Sequence, residues 1–310
     1  MGRRRACVAP QEKESRLATT APDDRFEIRP VLDHGFVRLE DMLGSDAAVI
    51  RSARVSYGPT STPRRSSRAL LRYLMRHQHM TPFEMCQQVY HIKCPIFVAR
   101  QLMRHRTVSI NEISGRYSEM TDECYLPPHD GVRLQSTSNR QGSSGTTLPP
   151  SPEFDVVQDM ATDQQHLDDA YRTYLGLGVA RELARINLPL ALYTEFYWSI
   201  NLRNLLHFLG LRLDAHAQQE IRAYAEALQQ IVAQCFPLCY EAWVDFERDA
   251  VTFSRDEIAL LRSLLANRPH AALPAGGEGQ ETRERFQSVL GVTLPPAEPP
   301  DKHHIAITTT

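Results

Sequence analysis

The sequence has no CxxC pair. Its six cysteines are Cys7, Cys86, Cys94, Cys124, Cys235 and Cys239, and only the last two lie close together, four residues apart. That spacing offers neither a disulfide framework nor a thiolate metal site, and it fits a reducing cytoplasm. No apolar stretch is long enough to span a membrane. The start, MGRRRACVAPQEKE, has arginines with no apolar run behind them, which excludes a secretory signal, and Ala6 breaks the myristoylation pattern. Gly-rich phosphate loops are missing, and no Ser-His-Asp set can be assembled. Charge is nearly balanced. A net charge of -2 over 310 residues gives no bulk attraction for nucleic acid, so any anion must be held by a local cluster.

What is present is an ordinary globular composition, 42% hydrophobic, long enough for one large domain or two small ones. Residues 1–29 read as a flexible arm, 30–245 as a single catalytic domain, and 246–310 as a helix followed by a disordered tail. Segment 34–44 reads as a short strand. Segment 45–58 reads as a helix capped by Ser45 or Asp46, and 59–67 as a basic loop. Segment 68–79 is an amphipathic helix. TPFE (81–84) looks like a helix start, with Thr81 as cap and Glu84 completing a capping box. QQVYHIKCP (87–95) alternates like a strand, and 95–106 reads as a helix ending on cations. A Ser/Gly/Pro-rich insertion, with no core element, spans about 130–152. Helices are expected over 153–175, 179–187, 189–209, 215–236 and 246–266.

The stretch RHRTVSINEISGRY (104–117) holds the chemistry. Arg104, His105 and Arg106 could simply complement a helix dipole. However, Ser109, Ser114, Gly115 and Arg116 follow within one loop length. Arginine forks and a close-approach glycine suit a nucleotide phosphate. Glu112, an acid within the basic set, is unlike a nucleic-acid patch and could orient the arginines or accept from a ribose hydroxyl or base N–H. Thr81, at a helix start, could serve as cap and anion site together. His77 and His79, with His91 and His105, invite a metal reading, but no carboxylate or cysteine joins them at ligand spacing, and no metal site is expected.

Segment 180–221 reads as core through Leu188, Leu190, Phe196, Trp198, Leu205 and Phe208, interrupted by Arg181, Arg185, Arg203 and Arg212. A cation among leucines and tryptophans needs a partner or a ligand. Asn201, Arg203 and His207 recur at helical spacing and could share one polar edge. Asp214 offers Arg212 a partner.

RHR, seven residues and then Ser, together with ARVSYG, LMRHQHMTPFE, HIKCPIFVARQLMRHR, SGRYSEM and segment 180–221, resembles the flavin-dependent thymidylate synthase family over about residues 34–245. The resemblance implies an α+β fold with a twisted sheet flanked by long helices, assembled as a homotetramer with shared active sites. It implies FAD as cofactor and dUMP, methylenetetrahydrofolate and NADPH as partners, with dUMP methylated to dTMP. It places Ser56, Thr81, Arg104, His105, Arg106, Glu112, Asn201, Arg203 and His207 at the flavin. Gln101, Arg104, Glu112, Ser114, Gly115, Arg116, Arg185 and Arg212 fall at dUMP, with Arg185 at the phosphate and Arg212, the catalytic residue, at the uracil. Met85 stands where the family often has His, and His207 where Asn is common. Two other readings remain: a non-catalytic flavin- and nucleotide-binding relative, and a nucleic-acid module built on 64–68 and 104–116.

Overall fold

The structure, a computed structural model, describes residues 24–55, 66–137, 140, 142–151, 154–265, 277–291 and 293. The chain divides into two compact units, Met1–Trp243 and Val244–Thr310. The first is an α+β unit around a five-stranded antiparallel sheet. Its strands are β1 (Arg29–Val31), β2 (Gly35–Leu43), β3 (Gln87–Pro95), β4 (Ser109–Glu112) and, after a separate hairpin of β5 (Arg133–Gln135) and β6 (Ser143–Thr147), β7 (Tyr193–Asn201). The spatial order is β1-β2-β3-β7-β4.

Side chains alternate across the sheet as the strand period of two requires. Tyr90 lies opposite Trp198 and Ile92 opposite Phe196. With Val37, Leu39, Cys94 and Ile200 these residues form the buried face. The other face is polar and aromatic. His91 stacks on Tyr197 with ring centroids 4.9 Å apart. It also contacts Glu195 at 3.0 Å.

Helices α1 (Asp46–Arg54), α2 (Ser67–Arg76), α3 (Ile96–Leu102), α4 (Val156–Gly176), α5 (Arg181–Ala184), α6 (Leu202–Arg212), α7 (Gln219–Cys235) and α8 (Pro237–Trp243) complete this unit. α7 is buried through Ile221, Tyr224, Leu228, Ile231 and Val232. Tyr224 donates its hydroxyl to the Lys93 carbonyl at 2.7 Å. A Cβ at Gly35 would come within 1.9 Å of that hydroxyl oxygen, so the crossing requires glycine. Among the described residues no helix is long and apolar enough to cross a membrane.

The second unit holds a π-helical turn (Val244–Arg248), α9 (Arg255–Leu265) and α10 (Gly277–Leu290). Ser254 and Glu257 form a reciprocal cap on α9. Arg285 pairs with Glu257, and Leu260 and Phe286 are buried together.

Several expectations need correction. Residues 193–201 form the strand β7 instead of the middle of a helix, because YTEFYWSI is aromatic and β-branched and buries alternate side chains. Over 179–187 only α5 and a 3-10 turn form. The 130–152 insertion contains the β5–β6 hairpin. The tail read as disordered contains α10, and the arm read to 29 ends at a 3-10 turn and the first residue of β1. α3 stops at Leu102, before the cation triplet. TPFE is a 3-10 turn whose N-cap position is Met80, with no side-chain cap. Ser45 makes no side-chain cap either. Asp46 instead accepts from the Leu238 and Cys239 amides at 2.9 and 3.0 Å, capping α8 from far along the chain. Leu190, expected in the core, is 64% exposed.

Candidate active site

Pro95 fixes the entry to α3, whose last turn carries Gln101. The chain then turns through Arg104, His105 and Arg106 into the edge strand β4. The triplet therefore lies past the helix, where the dipole fades. The side chains of Arg104 and Arg106 have no hydrogen-bond or ion-pair partner among the described residues. His105 is half-buried, its ring 4.8 Å from that of Phe208 on α6 and 6.3 Å from that of His207. Arg212, at the last turn of α6, donates Nε–H to His105 Nε2 at 3.2 Å. Burial, with Arg212 and His207 nearby, pushes the His105 pKa down to about 4. Burial and then Arg104 push the Arg212 pKa down from its usual value. Asp214 is not the partner of Arg212; it accepts from the His216 amide and ring at 2.7 and 2.8 Å.

A second group forms around the turn after β4. Ser114 Oγ accepts from the Arg116 amide at 3.3 Å. Gly115 is buried. A Cβ there would lie 2.7 Å from Met120 Sδ and 3.1 Å from Arg185 Cδ, so only glycine lets Arg185 pass this close. Arg116 pairs with Glu182 on α5 at 3.1 Å. Glu112 accepts from the buried Thr194 hydroxyl at 2.6 Å.

A third group joins the start of α6 to the 3-10 turn. Asn201 is the N-cap of α6, accepting from the Asn204 amide at 2.9 Å. Arg203 pairs with Glu84. Thr81 is exposed and lines a cleft of ≈ 670 Å³ with Ser52, Tyr73, His79 and Met85. That cleft does not reach Arg104, Arg185 or Arg212. No hydrogen bond or ion pair among the described residues joins the three groups to one another. Ser56 lies outside the described residues.

The four arginines that interrupt the apolar 180–221 segment thus sort themselves. Arg181 has Glu119 at 3.7 Å and Arg203 has Glu84. Arg185 and Arg212 have no carboxylate among the described residues. A half-buried cation without a counter-ion is suited to an anionic ligand. Sequence reasoning missed Thr194, Glu182 and Gln218, which accepts from Gln101 at 2.6 Å. Thr194 became visible only once β7 was a strand. Glu84 was noticed as a cap, not as the partner of Arg203.

The family model for thymidylate synthase complementing proteins matches residues 38–238. The chain belongs to the flavin-dependent thymidylate synthase family. It is 44% identical over 294 residues to the flavin-dependent thymidylate synthase of Ruegeria pomeroyi, covering 90% of this chain and 97% of that protein. It is 46% identical over 264 residues to that of Thermus thermophilus, covering 84% and 96%. Among solved structures, it resembles a UMP/dUMP methylase, PolB, from Streptomyces cacaoi bound with 5-Br dUMP. The TM-score is 0.62 at 35% identity, over 70% of this chain and 98% of that one. The family match includes all three groups and stops short of the second compact unit.

Proposed function

We propose that this member of the family methylates dUMP to dTMP, with methylenetetrahydrofolate as one-carbon donor, NADPH as reductant and FAD as the bound cofactor. The observation that carries the reading is the pair of arginines without carboxylate partners among the described residues, Arg185 against Gly115 and Arg212 against His105. On this reading Arg185, Ser114, Gly115 and Arg116 take the dUMP phosphate end, with Gln101, Arg104 and Glu112 along the nucleotide. Arg212 faces the uracil. Addition of a hydride at C6 would drive negative charge toward O4 and N3, and Arg212, a fixed cation in a half-buried setting, would stabilise it.

The cysteines support the same mechanism. Burial pushes the thiols of Cys86, Cys94, Cys124 and Cys239 up, Cys124 to about 11, so none is poised as a thiolate nucleophile. Bound FAD, once reduced by NADPH, would supply a hydride to C6 of the uracil, so no enzyme thiol is required there. Arg104 and Arg106, without side-chain partners among the described residues, suit a pyrophosphate, and the Thr81 cleft, which does not reach Arg104 within one chain, would meet the same dinucleotide in a site shared between subunits. Thr81, Arg104, His105, Arg106, Glu112, Asn201, Arg203, His207 and Ser56 would hold it.

A homotetramer with shared active sites and a cytoplasmic location belong to this reading. β4, which carries Glu112, is exposed along its whole length at the sheet edge. Ile110 and Ile113 flank Glu112, and Leu183, Ile186 and Leu190 flank Arg185, all exposed in one chain. Exposed edges and apolar side chains of this kind are normally covered by a partner. The test is product analysis after incubating purified protein with FAD, NADPH, methylenetetrahydrofolate and dUMP, with UMP in parallel. dTMP is the expected product; bound FAD with no dTMP would sink the proposal.

A further inference from the structure

His105 stands among the flavin contacts of the reading above, yet the one side-chain hydrogen bond it makes among the described residues is accepted from Arg212. Arginine can only donate, so the His105 Nε2 at 3.2 Å must present its lone pair and carry its proton on Nδ1. We propose that His105 is a positioning residue for Arg212: its imidazole accepts the Nε–H, fixes the guanidinium plane and leaves both Nη groups free for the uracil. The inference rests on the functional reading for the uracil and on the geometry for the pairing.

Three further observations agree. The ring is wedged against Phe208 on α6, the helix that ends with Arg212, so acceptor and donor are fixed to one packed element. The groups facing the ring are Arg212, His207 and, beyond Arg212, Arg104, all cationic or basic. In that surrounding, protonation of His105 is disfavoured and the acceptor is kept. The acceptor also has the right charge. A carboxylate would hold Arg212 as well but would neutralise the charge that the uracil needs. An imidazole orients the cation and leaves its charge intact. The apparent oddity of a histidine between two arginines then has a reason: it is the neutral member of the triplet.

The test is a double-mutant cycle on the FAD-loaded protein with His105→Leu, Arg212→Ala and the pair, plus His105→Gln. Turnover, FAD content and the dUMP dissociation constant by calorimetry are read for each. His105→Leu should lower kcat at least tenfold with FAD content retained. In the Arg212→Ala background the same change should cost less than threefold. His105→Gln, whose amide oxygen can accept in place of Nε2, should recover most of the turnover. The dUMP affinities should show the same non-additivity. Additive losses in both backgrounds, or no recovery by Gln, would overturn the proposal, as would a loss explained by missing FAD. If the wild type forms no dTMP but dUMP affinities remain coupled, the functional reading fails and the pairing stands. If dTMP forms and the effects are additive, the reverse holds.

Discussion

At the scale of single residues the account turns on which charges lack partners. Arg212→Ala removes the cation assigned to the uracil, and an aligned charge stabiliser contributes about 3–4 kcal/mol. Steady-state kinetics should show kcat reduced by roughly two to three orders of magnitude. Arg185→Ala should act on dUMP affinity instead, by about 1.5–3 kcal/mol, the range for a hydrogen bond to a charged group. No single Cys→Ala replacement should abolish dTMP formation, because burial pushes the thiols of Cys86, Cys94, Cys124 and Cys239 toward their protonated form. Complete loss in a folded, FAD-containing Cys variant would restore a covalent-thiol mechanism. NMR should find His105 titrating near pH 4 instead of 6.5. Its folded pKa is depressed, so between about 6.5 and 4 the unfolded chain takes up a proton that the folded chain refuses. His105 therefore lowers stability as pH falls through that window and has no effect above it. His105→Gln should remove this contribution from the pH–stability curve. Much of this scale was legible in the sequence. RHR, Glu112, Ser114 to Arg116, Arg185 and Arg212 were all singled out. The partners were not, because Asp214 is nearer to Arg212 in sequence than His105 is, and only the turn after α3 brings the histidine there.

At the scale of elements, β7 shows where periodicity misleads. Tyr193, Phe196, Tyr197 and Ile200 also satisfy helical spacing, so a run with helical segments on both sides was read as one helix. The antiparallel register with β3 decides otherwise, and it is made of long-range pairing that no local window contains. The consequence for the site is direct. β7 supplies Thr194 to Glu112 on one side and delivers Asn201 to cap α6 on the other. α1 teaches a related lesson. Its apparent N-terminal acid, Asp46, serves α8 nearly two hundred residues later. Asp46→Ala should lower the unfolding free energy by about 1–2 kcal/mol, the usual loss for a helix cap, in chemical denaturation. Asp46→Asn should recover part of it. A change within experimental error in Asp46→Ala would mean that solvent replaces the cap.

At the scale of the whole molecule, the α+β class and the family were readable from sequence. The strand order was not, nor the compactness of the Val244–Thr310 unit, where α10 replaces an expected tail. Its composition, rich in Gly, Ala and Pro, hides a small apolar set of Leu260, Phe253 and Phe286 that needs two helices to become a core. Arg185 and Arg212, cations with no carboxylate partner among the described residues, are assigned to the anionic substrate, and the methylation proceeds without a thiol. The most direct test is to follow both products of one incubation of NADPH-reduced holoenzyme with dUMP and methylenetetrahydrofolate. The account predicts dTMP and tetrahydrofolate in equal amounts. No dTMP from flavin-loaded protein, or dTMP accompanied by dihydrofolate, would contradict it.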